Sequence, residues 1–246
     1  MTTDSAVESK SQLSPWRRSF YSTPGHRRST GQVLPGGPRT TLRQAAVVWV
    51  SMPSVQLFLT AWLVALVARV WVGGYTWWDL VIVAVMVGFQ PMTEWLIHTY
   101  VLHARPRRIG KREYSTLLAR EHYRHHADPK ELETIFIPLP VAVGMVTLPW
   151  LLLLIPGWYA GLVLTGILTG LTLATVYEWT HYLIHTPYKP RHALYRGIRR
   201  GHVLHHYRNE NYWMGVTNHL ADRVLHTYPK KDEVPASPTA KDLAAR

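Results

Sequence analysis

The 246-residue sequence contains no cysteine, which removes disulfides, thiolate-held haem and cysteine-ligated iron–sulfur clusters from what it can carry. It has no glycine-rich dinucleotide fingerprint, so any redox chemistry needs electrons from a separate protein. Acidic side chains are scarce, 15 against 27 Lys and Arg, giving a formal net charge of +12. Such a surplus can indicate nucleic acid. Here the basic residues flank long apolar runs, the placement of a positive-inside membrane protein, which argues against a nucleic-acid partner. No signal peptide is read, because the first apolar run begins too far in and is too long for one.

Those apolar runs predict an all-α integral membrane protein. Four runs approach the roughly twenty residues that cross a hydrocarbon core: about Ala45 to Val70 with a kink at Pro53, Trp77 to Ile97, Ile135 to Ile155, and Trp158 to Trp179 after a tight Pro156-Gly157 turn. Residues 1–43 are rich in Ser, Pro, Gly and Arg without apolar periodicity and read as a disordered basic tail; 44–230 form the membrane domain and 231–246 a flexible C-terminal tail. The loops after the first and third spans carry no Lys or Arg, and all such residues except Arg69 lie in the tail, in 104–134 or after 186. Both termini are therefore expected in the cytoplasm, with Trp71, Tyr75, Trp77, Trp78, Trp150, Trp158 and Tyr159 forming a belt at the opposite interface.

Fourteen histidines are present, and most fall in four boxes. These are His98 and His103; His122, His125 and His126; His181 and His185; and His202, His205 and His206. Positions i, i+3 and i+4 share a helix face, so each HxxHH box can aim at one place, as can His181 and His185. His98 and His103, five apart, cannot, and the helix is expected to end or unwind between them. An ion needs three or four imidazoles, so these boxes suffice for two. His26 and His192 lie outside the boxes and read as solvated. The second and fourth spans both travel inward and both end in Glu-Trp followed by histidine, so all four boxes are expected on the cytoplasmic face, under helical caps over 104–134 and after 186.

Glu94 and Glu178 are the carboxylates nearest the inner ends of those spans, where an ionised group facing lipid is costly. They are expected behind the ligands, each taking the free ring N–H of a histidine.

The order HxxxxH, HxxHH, HxxxH, HxxHH, with Glu94-Trp95-Leu96-Ile97-His98, Tyr177 to Tyr182, Gly215-Val216-Thr217, Asp222 and His226-Thr227, resembles the fatty acid hydroxylase and sterol desaturase superfamily, nearest its fatty acid 2-hydroxylases. The resemblance covers about residues 90–230. It implies a four-span helical enzyme with two iron ions, often replaced by zinc in purified protein, that uses O2 to oxidise a C–H bond of a lipid or fatty acyl chain. Electrons would come from a separate donor such as a ferredoxin or a cytochrome b5-like protein, since nothing in this sequence could be the cytochrome b5 domain that eukaryotic relatives often carry. His219 stands where that branch has no ligand, and Asn218 and Asp222 are at most supports behind the ligands. Two other functions remain open at this point. A desaturase would share the site, and a metal transporter would need polar ligands through the middle of its spans, where the first and third offer little beyond Gln56 and Thr147.

Overall fold

The structure, a computed structural model, describes residues 40–110, 112–155 and 159–243. Most of the expected N-terminal tail and the Pro156-Gly157 turn lie outside these residues. The chain runs α1 (Leu42–Ser51), α2 (Pro53–Val72), α3 (Trp77–Ile97) and a π-helical turn (His98–Leu102), then β1 (Arg107–Ile109) and β2 (Arg112–Tyr114). It continues as α4 (Leu117–Ala127), α5 (Leu132–Ile135), α6 (Leu139–Thr147), a 3-10 turn (Leu148–Leu154), α7 (Ala160–His185), α8 (Ala193–Tyr207), α9 (Leu220–Val224) and a last 3-10 turn (Lys231–Glu233).

Four segments are long and apolar enough to cross a membrane: Pro53–Val72, Trp77–Leu102, Leu132–Leu154 and Ala160–His185. Prolines decide how they are cut. Pro53 was expected to kink the first span, but Met52 before it is extended (φ −76°, ψ 133°) and the helix breaks into α1 and α2. The residue before a proline is pushed out of the α region, and the ring nitrogen has no proton to donate. The third span is divided into α5, α6 and the 3-10 turn: Pro138 (φ −55°, ψ 133°) caps α6, Pro140 sits in its first turn and Pro149 in the first turn of the 3-10 segment. Among the described residues the only strands are the β1–β2 hairpin, which pairs Arg107 with Tyr114 and Ile109 with Arg112 where cap helix was expected.

α7 is the central span. Phe58, Ala61 and Ala65 of α2 pack with Ala142 of α6 and with Ile167 and Leu171 of α7. Nearer the histidines, Ala45, Met52 and Val55 close on Leu132, Ile135, Phe136, Tyr182 and Leu183. The outward faces stay apolar, with Leu63, Val67, Val87 and Leu154 exposed, which suits lipid contact. Trp71, Tyr75, Trp77, Trp78 and Tyr159 are exposed at the end away from the histidines.

That end is tied by the one basic residue placed inside a span. Arg69 is 3% exposed. Its Nη2 pairs with Asp79 Oδ1 at 2.7 Å, its Nε donates to Thr165 Oγ1 at 2.8 Å, and its Nη1 donates to the Gly73 carbonyl at 2.6 Å. Asp79 also caps its own helix, accepting from Thr76 N at 2.7 Å. One carboxylate thus joins α2, α3 and α7. Removing either partner of a buried pair strands the other charge at a cost on the order of 3 kcal/mol. Arg69→Leu and Asp79→Leu are each expected to lower the unfolding free energy in detergent by that order, read from denaturant titration, and the double variant by less than the sum of the two.

Candidate metal centre

The histidine boxes end up in two groups of five. His98, His103, His122, His126 and His205 form one; His125, His181, His185, His202 and His206 form the other. Within each group the ligand nitrogens all lie within 4.8 Å of one another, and nine of the ten side chains belong to buried residues, His185 being half-buried. Each span supplies two histidines to its own group, from the C-terminal end of α3 with its π turn and from the C-terminal end of α7. Each following helix supplies an i, i+4 pair to that same group, His122 with His126 from α4 and His202 with His206 from α8. The middle histidine of each HxxHH box crosses over. His125 joins the α7 group and His205 the α3 group, so the two sites interlock.

This corrects the expectation that each HxxHH box aims at one place. At 100° per residue, i+4 lies about 40° from i, whereas i+3 lies about 60° round on the other side. That difference is enough to direct His125 and His205 into the neighbouring group. A second correction concerns His98 and His103. The helix does not end between them but widens, with the His103 N–H donating to the His98 carbonyl five residues back at 3.0 Å. A π turn holds more residues than an α turn, so positions five apart meet on one face. The ring centroids are 4.9 Å apart.

Backbone carbonyls set the tautomers. The Nδ1–H of His98 donates to Met214 O, that of His126 to Ala240 O, that of His181 to Ile135 O and that of His205 to Tyr212 O, the last three at 2.8 Å. Each bond leaves Nε2 as a bare lone pair. His126 Nε2 and His205 Nε2 are nonetheless 3.2 Å apart with no proton to share between them. Neighbouring Nε2 contacts in both groups run from 3.0 to 3.2 Å, among them His98–His122, His185–His202 and His202–His206. Two nitrogens at right angles about an ion ~2.1 Å from each stand about 3.0 Å apart. The residues therefore fit a cation in each group. Burial first, and then the neighbouring imidazoles, holds His122, His125, His202 and His206 well below the ordinary imidazole pKa, so these rings stay neutral and ligand-ready.

The carboxylates act one link further away than expected. Glu94 Oε1 accepts from the backbone N–H of Val216 and, at 2.8 Å, of Thr217, while Oε2 accepts from Thr217 Oγ1 at 2.6 Å and Gln90 Nε2 at 2.6 Å. It grips the loop whose Met214 carbonyl orients His98. Glu178 Oε1 accepts from Ile137 N at 2.8 Å and so holds the proline-opened stretch whose Ile135 carbonyl orients His181. Asp222 fastens the first loop from its other side, accepting from Met214 N and Gly215 N, each at 2.8 Å. Burial alone would raise the Asp222 pKa, but bonds from His219, Thr227 and these amides outweigh it and keep the group ionised. Gly215 is required there, since a Cβ would stand 1.9 Å from Asn218 O. His219 lies apart from both groups, bonded to Asp222.

The C-terminal segment expected to be flexible is instead part of the site. Ser237 N donates to Arg208 O at 2.8 Å, Arg208 Nε to Val234 O at 2.8 Å, and Leu243 is buried against Ala119 and Tyr123. This strap delivers the Ala240 carbonyl to His126. Nothing in the sequence marks it beyond a few isolated apolar residues. His192 is exposed at the start of α8, and His26 lies outside the described residues.

Residues 83–227 match the profile of the fatty acid hydroxylase family, a stretch of more than half the chain that holds every box. The chain belongs to the fatty acid hydroxylase family. It is 29% identical over 185 residues to the dihydroceramide fatty acyl 2-hydroxylase FAH2 of Arabidopsis thaliana, covering 74% of each chain. It is 30% identical over 139 residues to the fatty acid 2-hydroxylase of Rattus norvegicus, covering 55% of this chain and 36% of that one. Against the rat protein, then, the chain spans little more than a third of the length. A solved structure, "Full length scs7p (only hydroxylase domain visible)", shares the fold with a TM-score of 0.56 and 21% identity, over 81% of this chain and 70% of that one.

His122→Ala and His205→Ala are each expected to lower the metal content of the purified chain by about one ion, and His192→Ala to leave it unchanged. Elemental analysis checks this, and equal content in all three variants would remove the assignment.

Proposed function

We propose that this chain is an O2-dependent lipid hydroxylase that places a hydroxyl group on a fatty acyl chain, using two iron ions held by the ten histidines and electrons from a separate donor protein. The observation that carries this is the pair of interlocked imidazole groups at the C-terminal ends of two candidate membrane spans. When bound, the ions would supply the one-electron chemistry with O2 that breaking an alkyl C–H bond requires and that no side chain can provide.

The chain's own residues bind, orient and exclude water. His98, His103, His122, His126 and His205 would hold one ion; His125, His181, His185, His202 and His206 the other. Glu94 and Asp222 keep the Met214 carbonyl on His98, and Glu178 keeps the Ile135 carbonyl on His181, so neither ring can turn its Nε2 away. Burial of the groups keeps bulk water from the oxidising centre. The printed names of the relatives, fatty acyl and fatty acid 2-hydroxylases, support an acyl substrate, and the exposed apolar faces support its arrival through the membrane.

Exposed Arg107, Arg108 and Arg112 on the hairpin and Arg191, Arg196 and Arg200 near α8 give the histidine end a basic surface. That surface favours the cytoplasmic side and would dock an acidic carrier such as a ferredoxin or a cytochrome b5-like protein. Gathering the imidazoles at one end, with the Arg69–Asp79 pair closing the other, favours catalysis over metal transport.

Lipid profiling of cells with and without the gene, under isotopically labelled O2, tests the proposal. The expected product is a lipid with one added, labelled oxygen atom. Loss of two hydrogens with no added oxygen would instead identify a desaturase, and an unchanged lipid profile would leave the hydroxylase without support.

A further inference from the structure

In the membrane region α7 packs against α2 and α3, and α2 against α6, but no comparable contact joins α3 to α6. The gap between them is a cleft of about 1010 Å³ with α7 as its floor, Met86 on one wall and Gly144 and Met145 on the other. Among the described residues its lining is apolar or glycine throughout, with Tyr159 at one end the only polar side chain. Gly166, Gly170 and Ala174 form successive turns of that floor. At 100° per residue these three and His181 fall within about 80° of one another, so the face that floors the cleft is the face that carries His181 into the metal centre. Tyr177, on the same face between them, packs its ring against His181 with centroids 5.6 Å apart.

The far end is shut. Tyr159 donates its hydroxyl to the Gly74 carbonyl at 3.0 Å, and the Arg69 guanidinium and the Tyr159 ring both come within 4 Å of where a Cβ on Gly161 would stand. The Arg69–Asp79–Thr165 network lies immediately behind. An apolar occupant entering from the histidine end stops there.

The dimensions identify the occupant. Ala174 to Tyr159 spans about 22 Å of helix, so the mean cross-section is roughly 46 Å², little more than half that of a helix ~10 Å across. A helix of a second copy does not fit, whereas a hydrocarbon chain does. We infer that this cleft holds the tail of the acyl substrate, methyl end toward Tyr159, and that Gly144, Gly166 and Gly170 set the chain length accepted. From His181 to Tyr159 is about 33 Å along α7, against about 15 Å for one leaflet's share of the ~30 Å core. The path therefore has room for chains long enough to pass the bilayer midplane. This rests on the lipid-hydroxylase function proposed above.

Two measurements test it. Gly144→Phe and Gly166→Leu fill the cleft with little clash, since a Cβ on Gly144 meets nothing within 4 Å and one on Gly166 meets only Ile82 at 3.9 Å. Both variants should keep their metal and lower the ratio of longest to shortest hydroxylated chains by at least about tenfold. In the wild-type chain in lipid nanodiscs, without turnover, a fatty acid carrying a photoreactive diazirine at its terminal carbon should label Leu162, Val163 or Ile167, which line the cleft and are not exposed on the outer surface. Label confined to outward residues such as Leu63, Val67 and Val87 would overturn the inference. So would an unchanged chain-length ratio in variants that keep their metal and make product. Absence of hydroxylated product at any chain length in the wild type would instead count against the hydroxylase function, and the labelling result would still decide the cleft.

Discussion

Ten imidazoles are brought together, nine of them with Nε2 against the Nε2 of another ring, and neutral rings packed in this way repel one another. At 3.2 Å, His126 and His205 face each other with lone pairs alone, because each has committed its proton to a backbone carbonyl. A cation between the two nitrogens would relieve that contact. The fold around it is the means of holding this unfavourable arrangement in place: four spans to fix the bases of α4 and α8, three buried carboxylates to pin the carbonyl-bearing loops, and a C-terminal strap across the top. Each device acts on a histidine through backbone, which is stiffer than a side-chain contact and leaves the ring one permitted orientation.

The two halves reach this result by the same logic with different materials. In the first, Gly215 lets a loop pass close to Asn218 and Asp222, and Glu94 and Asp222 clamp it from opposite sides. In the second, Pro138 opens the helix so that Ile135 offers a free carbonyl and Ile137 a free N–H, which His181 and Glu178 take. The crossed histidines, His125 and His205, tie the halves to each other. A disturbance in one loop therefore reaches both groups.

The spans, the histidine boxes and the shared end of the bundle they occupy were legible because hydropathy and i, i+4 spacing are local properties of the chain. The partition of the ligands was not, because whether His125 faces its own box or the next depends on how α4 and α8 pack together. The π turn at His98 was hidden by the assumption that a helix keeps its period. The acceptors for the ring protons are main-chain carbonyls of Met214, Ile135, Tyr212 and Ala240, whose side chains carry no sign of the role. Glu94 and Glu178 stood out correctly as carboxylates that cost too much to face lipid, but sequence separation favoured the nearby imidazole over loops that only the tertiary fold brings close. Prolines and Gly215 were the one local sign of those loops.

An experimental structure with anomalous diffraction recorded at the iron edge would test the central claim most directly. Two peaks are expected, one within ligand distance of Nε2 atoms from His98, His103, His122, His126 and His205, the other within ligand distance of those from His125, His181, His185, His202 and His206. A single peak shared across both groups, or ions bound through Nδ1 with the backbone carbonyl contacts broken, would contradict the account.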